Sequence, residues 1–138
     1  IEKKPNRVEE SQEIKNFFDK EYFLNRYLFN KKLIQLSAKH YKIDTLFVWQ
    51  PIPNYKYNQN FHPFSFDGYG WHSNSTKGYS FFAQNLKSGL LSEVLWLADI
   101  QESSNEILYV DIVHYTARFN NLISDLIAKH IVQKGFLF

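Results

Sequence analysis

Asp111 and His114 stand three positions apart in the stretch "YVDIVHYT", residues 109–116. A carboxylate beside an imidazole fixes the ring tautomer and stabilises the imidazolium form. A histidine held that way is a competent general base near neutral pH. The same spacing also arises when a strand-end Asp caps a turn and a surface His follows it, and spacing alone favours this second reading. Position is compatible with the chemical one. Residues 107–110 read as a short apolar strand, and a helical pattern follows from Ala117. In open α/β sheets, sites gather at the carboxyl ends of strands.

A second set of candidates lies in residues 54–80, a long segment without clear periodicity. It carries Tyr55, Tyr57, Phe61, Phe64, Phe66, Tyr69 and Trp71. Aromatic rings with polar tips suit sugar faces or acyl chains, and they suit plain packing equally well. His62, His72 and Asp67 share this segment, but their spacing matches no ligand motif, and no metal site is expected. The chain has no Cys, which excludes disulfides and thiolate chemistry. No Gly-rich phosphate loop occurs, and no cofactor is expected.

These residues need a scaffold. The spacing of Phe23, Tyr27, Ile34, Ala38 and Tyr41, widened by Leu24, Leu28 and Leu33, predicts helix over residues 11–40. Asp19 is placed to cap it after a break near Phe17 and Phe18, and Lys39 and His40 suit its last turn. Residues 45–49 form a continuous apolar run that reads as a strand buried on both faces, ended by Pro51 and Pro53. Phe82, Leu86, Leu90, Val94 and Leu97 predict a helix over 80–98, with Gly89 weakening it. The last helix is expected over 117–133, with Phe119, Leu122, Ile123, Leu126, Ile127 and Ile131 inward, and His130 as a helix-end cation. Helices alternating with strands indicate α/β with a parallel sheet. Two strands bury little by themselves, so the pattern reads as the last part of a larger fold.

The 138 residues are 44% hydrophobic and 18% aromatic, a globular composition. The 16 basic and 14 acidic residues give no electrostatic case for nucleic acid or an anionic membrane. No apolar stretch reaches the roughly 18 residues of a membrane span. Residues 1–12 are polar and read as a linker. The chain starts with Ile, so a processed or partial product is expected.

The segment "YVDIVHYTARFNNLISDLIAKHI" resembles the last block of the SGNH (GDSL-like) hydrolases, where a buried strand delivers Asp-x-x-His and a closing helix packs on the sheet. "LFVWQPIP" resembles that superfamily's penultimate strand, which often ends in a Gln-Pro step before the substrate loops. The resemblance spans residues 20–133, though its specific part is the last block. It implies the C-terminal part of a three-layer α/β/α fold over residues 13–138, and a serine esterase acting on a small-molecule or glycan ester. Carried over, His114 is the general base and Asp111 its partner. Gln50, Tyr69 and Trp71 are the expected substrate contacts.

Two departures go with it. The family frequently has Gly five residues after the histidine, where this chain has Phe119. Its nucleophilic Ser and oxyanion donors belong to N-terminal blocks that this sequence does not contain, and Ser73 and Ser75 lie between the two strands instead. The chain by itself is therefore expected to be inactive, its partner being the N-terminal portion of the same domain. The alternative from another class is a non-catalytic binding or scaffold module that retains the α/β fold.

Overall fold

The computed structural model describes residues 19–64, 75–91 and 93–136. The expected linker at 1–12, and Ser73, Tyr69, Trp71, His72 and Asp67, lie outside the described residues. Three helices and a two-stranded parallel sheet make a mixed α/β arrangement among them. None of these helices is long and apolar enough to cross a membrane.

Helix α1 spans Lys20–Tyr41. The Asp19 carboxylate accepts from the Tyr22 amide at 2.9 Å, satisfying one of the free donors at a helix start. The helix stops at Lys42, which takes the left-handed conformation with φ 56°. Its inner face differs from the expected stripe. Leu24, Lys31 and Ala38 are buried, whereas Phe23, Leu33, Ile34 and Tyr41 are exposed. Lys31 stays inside because its ammonium meets Glu93 at 2.8 Å and lies over the Phe47 ring. A buried charge is tolerated only when paired in this way.

Strand β1, Phe47–Trp49, pairs in parallel with β2, Val94–Trp96, in the register Phe47 to Val94 and Trp49 to Trp96. The crossover between them carries helix α2, Ser75–Lys87. The second strand thus forms at Val94–Trp96, where the sequence predicts the end of a helix, and not at the expected 107–110. Val94 and Leu97 imitate helical spacing, but the helix has already ended at Lys87. Gly89 then turns the chain at φ 85°, a conformation that costs a glycine little. Among the described residues, 107–110 find no neighbouring strand, and Tyr109 makes an isolated bridge, antiparallel to Tyr115.

Alternate strand residues go to two cores, as the two-residue period of a strand dictates. Phe47, Trp49, Val94 and Trp96 pack with Leu24, Phe82 and Leu91 from the side of α1 and α2. Val48 and Leu95 pack with Tyr57, Leu97, Leu108, Tyr109, Phe119 and Ile123. The last two of these belong to helix α3, Ala117–Lys134, which Thr116 caps and Gly135 ends. The helix bounds agree with the expected 117–133 to within one residue, although Leu122, expected inward, is exposed.

Candidate active site

The segment that carries Asp111 and His114 is a closed loop, and the two side chains do not follow a strand end as expected. The Tyr109–Tyr115 bridge closes it. The Val110 amide donates to the His114 carbonyl at 2.9 Å, and the Thr116 amide to the Leu108 carbonyl at 2.8 Å. Inside the loop, Asp111 Oδ1 accepts from the amides of Val113 (2.9 Å) and His114 (2.8 Å). Aspartate side chains favour such turns because they bond their own backbone two or three residues on. The second oxygen, Oδ2, stands 2.6 Å from His114 Nδ1.

Two backbone amides and the imidazole thus converge on one carboxylate. The His114 amide, then the Val113 amide, then the His114 ring hold its pKa down at about 2. An ionised carboxylate only accepts, so the proton of a neutral His114 sits on Nδ1 and the lone pair on Nε2. This is the tautomer a general base requires.

Aromatic packing supports the loop from below. Phe119 is buried and meets Tyr115 and Tyr109 edge-on, at ring separations of 5.2 and 6.0 Å. A glycine at that position would leave this space unfilled, so Phe119 anchors the loop through side-chain volume. His62 is buried against the rings of Tyr109 and Tyr57. Burial lowers its pKa, opposed by the backbone of Ile112 and the charge of Asp111. The Tyr57 hydroxyl donates to the Glu106 carbonyl at 2.7 Å and accepts from the Leu108 amide at 3.2 Å. Tyr55 and Tyr57, candidates for ligand contact from sequence, are therefore internal anchors.

His114 opens onto a cavity of about 480 Å³, shared with Val113, Tyr115, Asn120 and, across from them, residues 50–54 and Ser75. Gln50 is where the sequence placed a substrate contact. The wall at 50–55 has a bonding pattern that no motif search would find. Each carbonyl from Gln50 to Tyr55 accepts from a side chain, in order Tyr79, Tyr115, Gln101, Gln59, Thr76 and again Gln101. Burial raises the pKa of the Tyr79 and Tyr115 hydroxyls, that of Tyr115 to about 12, so both remain donors. Pro51 and Pro53 contribute no N–H of their own. A run of Pro between two candidate strands was visible in the sequence, but the distant donors were not.

Among the described residues, no group of three His, Cys, Asp or Glu is placed to hold a metal ion. No family model matches the chain, and no curated protein and no solved structure matches it.

Proposed function

We propose that this chain is the base-bearing C-terminal part of an SGNH-type serine ester hydrolase, and that its fold completes a three-layer α/β/α domain with the N-terminal portion. The observation that carries the reading is the 2.6 Å approach of Asp111 Oδ2 to His114 Nδ1 at the rim of the cavity. The packing of alternate strand residues toward α1 and α2 on one side, and toward α3 on the other, supports the layered arrangement.

In this mechanism a serine from the N-terminal portion donates its proton to His114 Nε2 as its oxygen attacks the ester carbonyl. Asp111 stabilises the imidazolium that forms. The proton then passes from Nε2 to the leaving alkoxide, and the acyl group stays on the serine. Water repeats the sequence, giving its proton to Nε2 as it attacks, and releases the acid. The uncharged amides of Gln50, Asn54 and Asn120 border the cavity beside apolar Ile52 and Val113. That combination suits a neutral acylated carbohydrate, with Tyr69 and Trp71 as its further contacts.

A serine-directed fluorophosphonate tests the reading on the complete protein. His114→Ala is expected to slow labelling on the order of 10⁴-fold, as loss of a triad member does. Equal labelling of both proteins would exclude His114 as the activating base. Ser75 shares the cavity, so Ser75→Ala belongs in the same experiment. Labelling that persists in it supports a nucleophile from the N-terminal portion.

A further inference from the structure

Gln101 is fully buried and lies outside both the Asp111–His114 pair and the cavity lining. Its side-chain amide uses both of its capabilities. Nε2 donates at 2.6 Å to the carbonyls of Ile52 and Tyr55. Oε1 accepts at 2.6 Å from the Tyr109 hydroxyl. Two N–H groups and one carbonyl on a single planar head match this demand. A carboxylate would turn an acceptor toward two other acceptors, and an aliphatic side chain would take away the bonds to the Tyr55 carbonyl and the Tyr109 hydroxyl and leave the Ile52 carbonyl with the Tyr55 amide alone.

The partners of Gln101 belong to two different structures. Ile52 lines the cavity, and buried Tyr55 follows directly on that wall. Tyr109 begins the closed loop that carries Asp111 and His114, and its bridge partner Tyr115 returns to the wall by donating to the Pro51 carbonyl. The wall, Gln101, Tyr109 and Tyr115 thus form one closed circuit, in which the Val110–His114 and Thr116–Leu108 backbone bonds join the two tyrosines. We infer that Gln101 is a positioning residue that sets the distance across the cavity between the substrate wall and His114. Its geometry stands independently, and its effect on rate rests on the ester-hydrolase reading.

Tyr109→Phe is the informative variant. It removes only the bond between Gln101 and the loop, and leaves both amide bonds to the wall in place. Amide hydrogen exchange reads the loop directly through Val110 and Thr116, which close it, with Leu97, just past β2 and bonded to the Trp49 carbonyl of β1, as the internal reference. The expected result is exchange about tenfold faster at Val110 and Thr116 with Leu97 unchanged, a local opening. The complete protein is expected to lose about tenfold in kcat on a neutral aryl acetate with KM unchanged, as misplacement of a reacting group does. Adding Tyr109→Phe to Gln101→Met should then cost no further rate, because the tie is already broken. A rise in exchange at all three amides together, or at none, would overturn the inference, as would additive losses in the double variant. If wild-type protein turns over no ester, the hydrolase reading fails, while exchange at Val110 and Thr116 still decides whether Gln101 holds the loop.

Discussion

The two sides of the cavity are built by opposite means. The wall at 50–55 is held from a distance, each carbonyl capped by a side chain, most of them remote in sequence. The loop at 110–114 is ordered within by local bonds, the two amides on Asp111 and the Tyr109–Tyr115 bridge, and is tied to the rest of the fold through Gln101 and Phe119. The wall places Pro51, Pro53 and Tyr55 in the interior, while the side chain of His114 is 75% exposed. A rigid surface against which a substrate rests needs many fixed contacts. A base needs one correct hydrogen bond and access to the proton it moves. Damage to the wall should therefore be read mainly in stability, and damage at the base mainly in rate.

The largest effect on stability tests what the two sides share. Phe119 lies beneath the loop and within the core. Phe119→Ala should destabilise the fold by about 4 kcal/mol, the usual cost of removing a buried phenyl ring. Denaturant unfolding measures it. A cost under about 1 kcal/mol would mean that the loop stands without the core. Gln101→Leu comes next, at about 3 kcal/mol, since the Tyr55 carbonyl and the Tyr109 hydroxyl would lose their bonds to it in the interior and the Ile52 carbonyl would keep only the Tyr55 amide. His114→Ala should change stability by less than about 0.5 kcal/mol, as exposed substitutions do. Similar losses in Gln101→Leu and His114→Ala would erase the contrast between the two sides.

How much of this was legible follows the range of the interactions. Asp19 and Thr116 cap their helices through contacts within one turn, and such caps leave a local signature; Asp19 was recognised from it. The Asp111–His114 pair is equally local, and its residue types announced it. The second strand differs from the sequence expectation because Val94 and Leu97 satisfy a helical period by chance, while residues 107–110 have strand composition but, among the described residues, no strand to pair with. Lys31 could not be placed inside, since its burial depends on Glu93 in a distant segment. Gln101 sits in "QESSNE", a stretch that reads as an ordinary polar connection. Its importance lies wholly in partners at Ile52, Tyr55 and Tyr109. Tyr69 and Trp71 stay expectations of the sequence.

The smaller effects sharpen the contrast at the base. Thr116 caps α3, its hydroxyl accepting from the Phe119 amide at 3.3 Å. Thr116→Ala should cost about 1 kcal/mol, the typical loss of a cap. Because Thr116 also closes the loop through its own amide, which the substitution keeps, the Asp111–His114 contact should survive, and labelling by the fluorophosphonate should stay within about twofold. A larger loss of labelling would show that the loop draws its order from the helix start instead of from Asp111.

Acid provides the most selective perturbation. The pKa of Asp111 is lowered from 3.8 to about 2, first by the His114 amide, then by the Val113 amide and the His114 ring. A folded-state pKa below the unfolded one means that the folded state binds the proton less readily. The contribution of this carboxylate to stability is then complete above about pH 4, and is lost as the pH falls through about 2. Carbon-13 chemical shifts of the Asp111 carboxyl should show a midpoint near 2. Asp111→Asn should slow labelling on the order of 10³- to 10⁴-fold through the lost tautomer control. An Asp111 midpoint at or above 3.8 would mean that the two amides and the imidazole do not converge on the carboxylate in solution. His114 would then lack the local hydrogen bonds that set it apart from the wall.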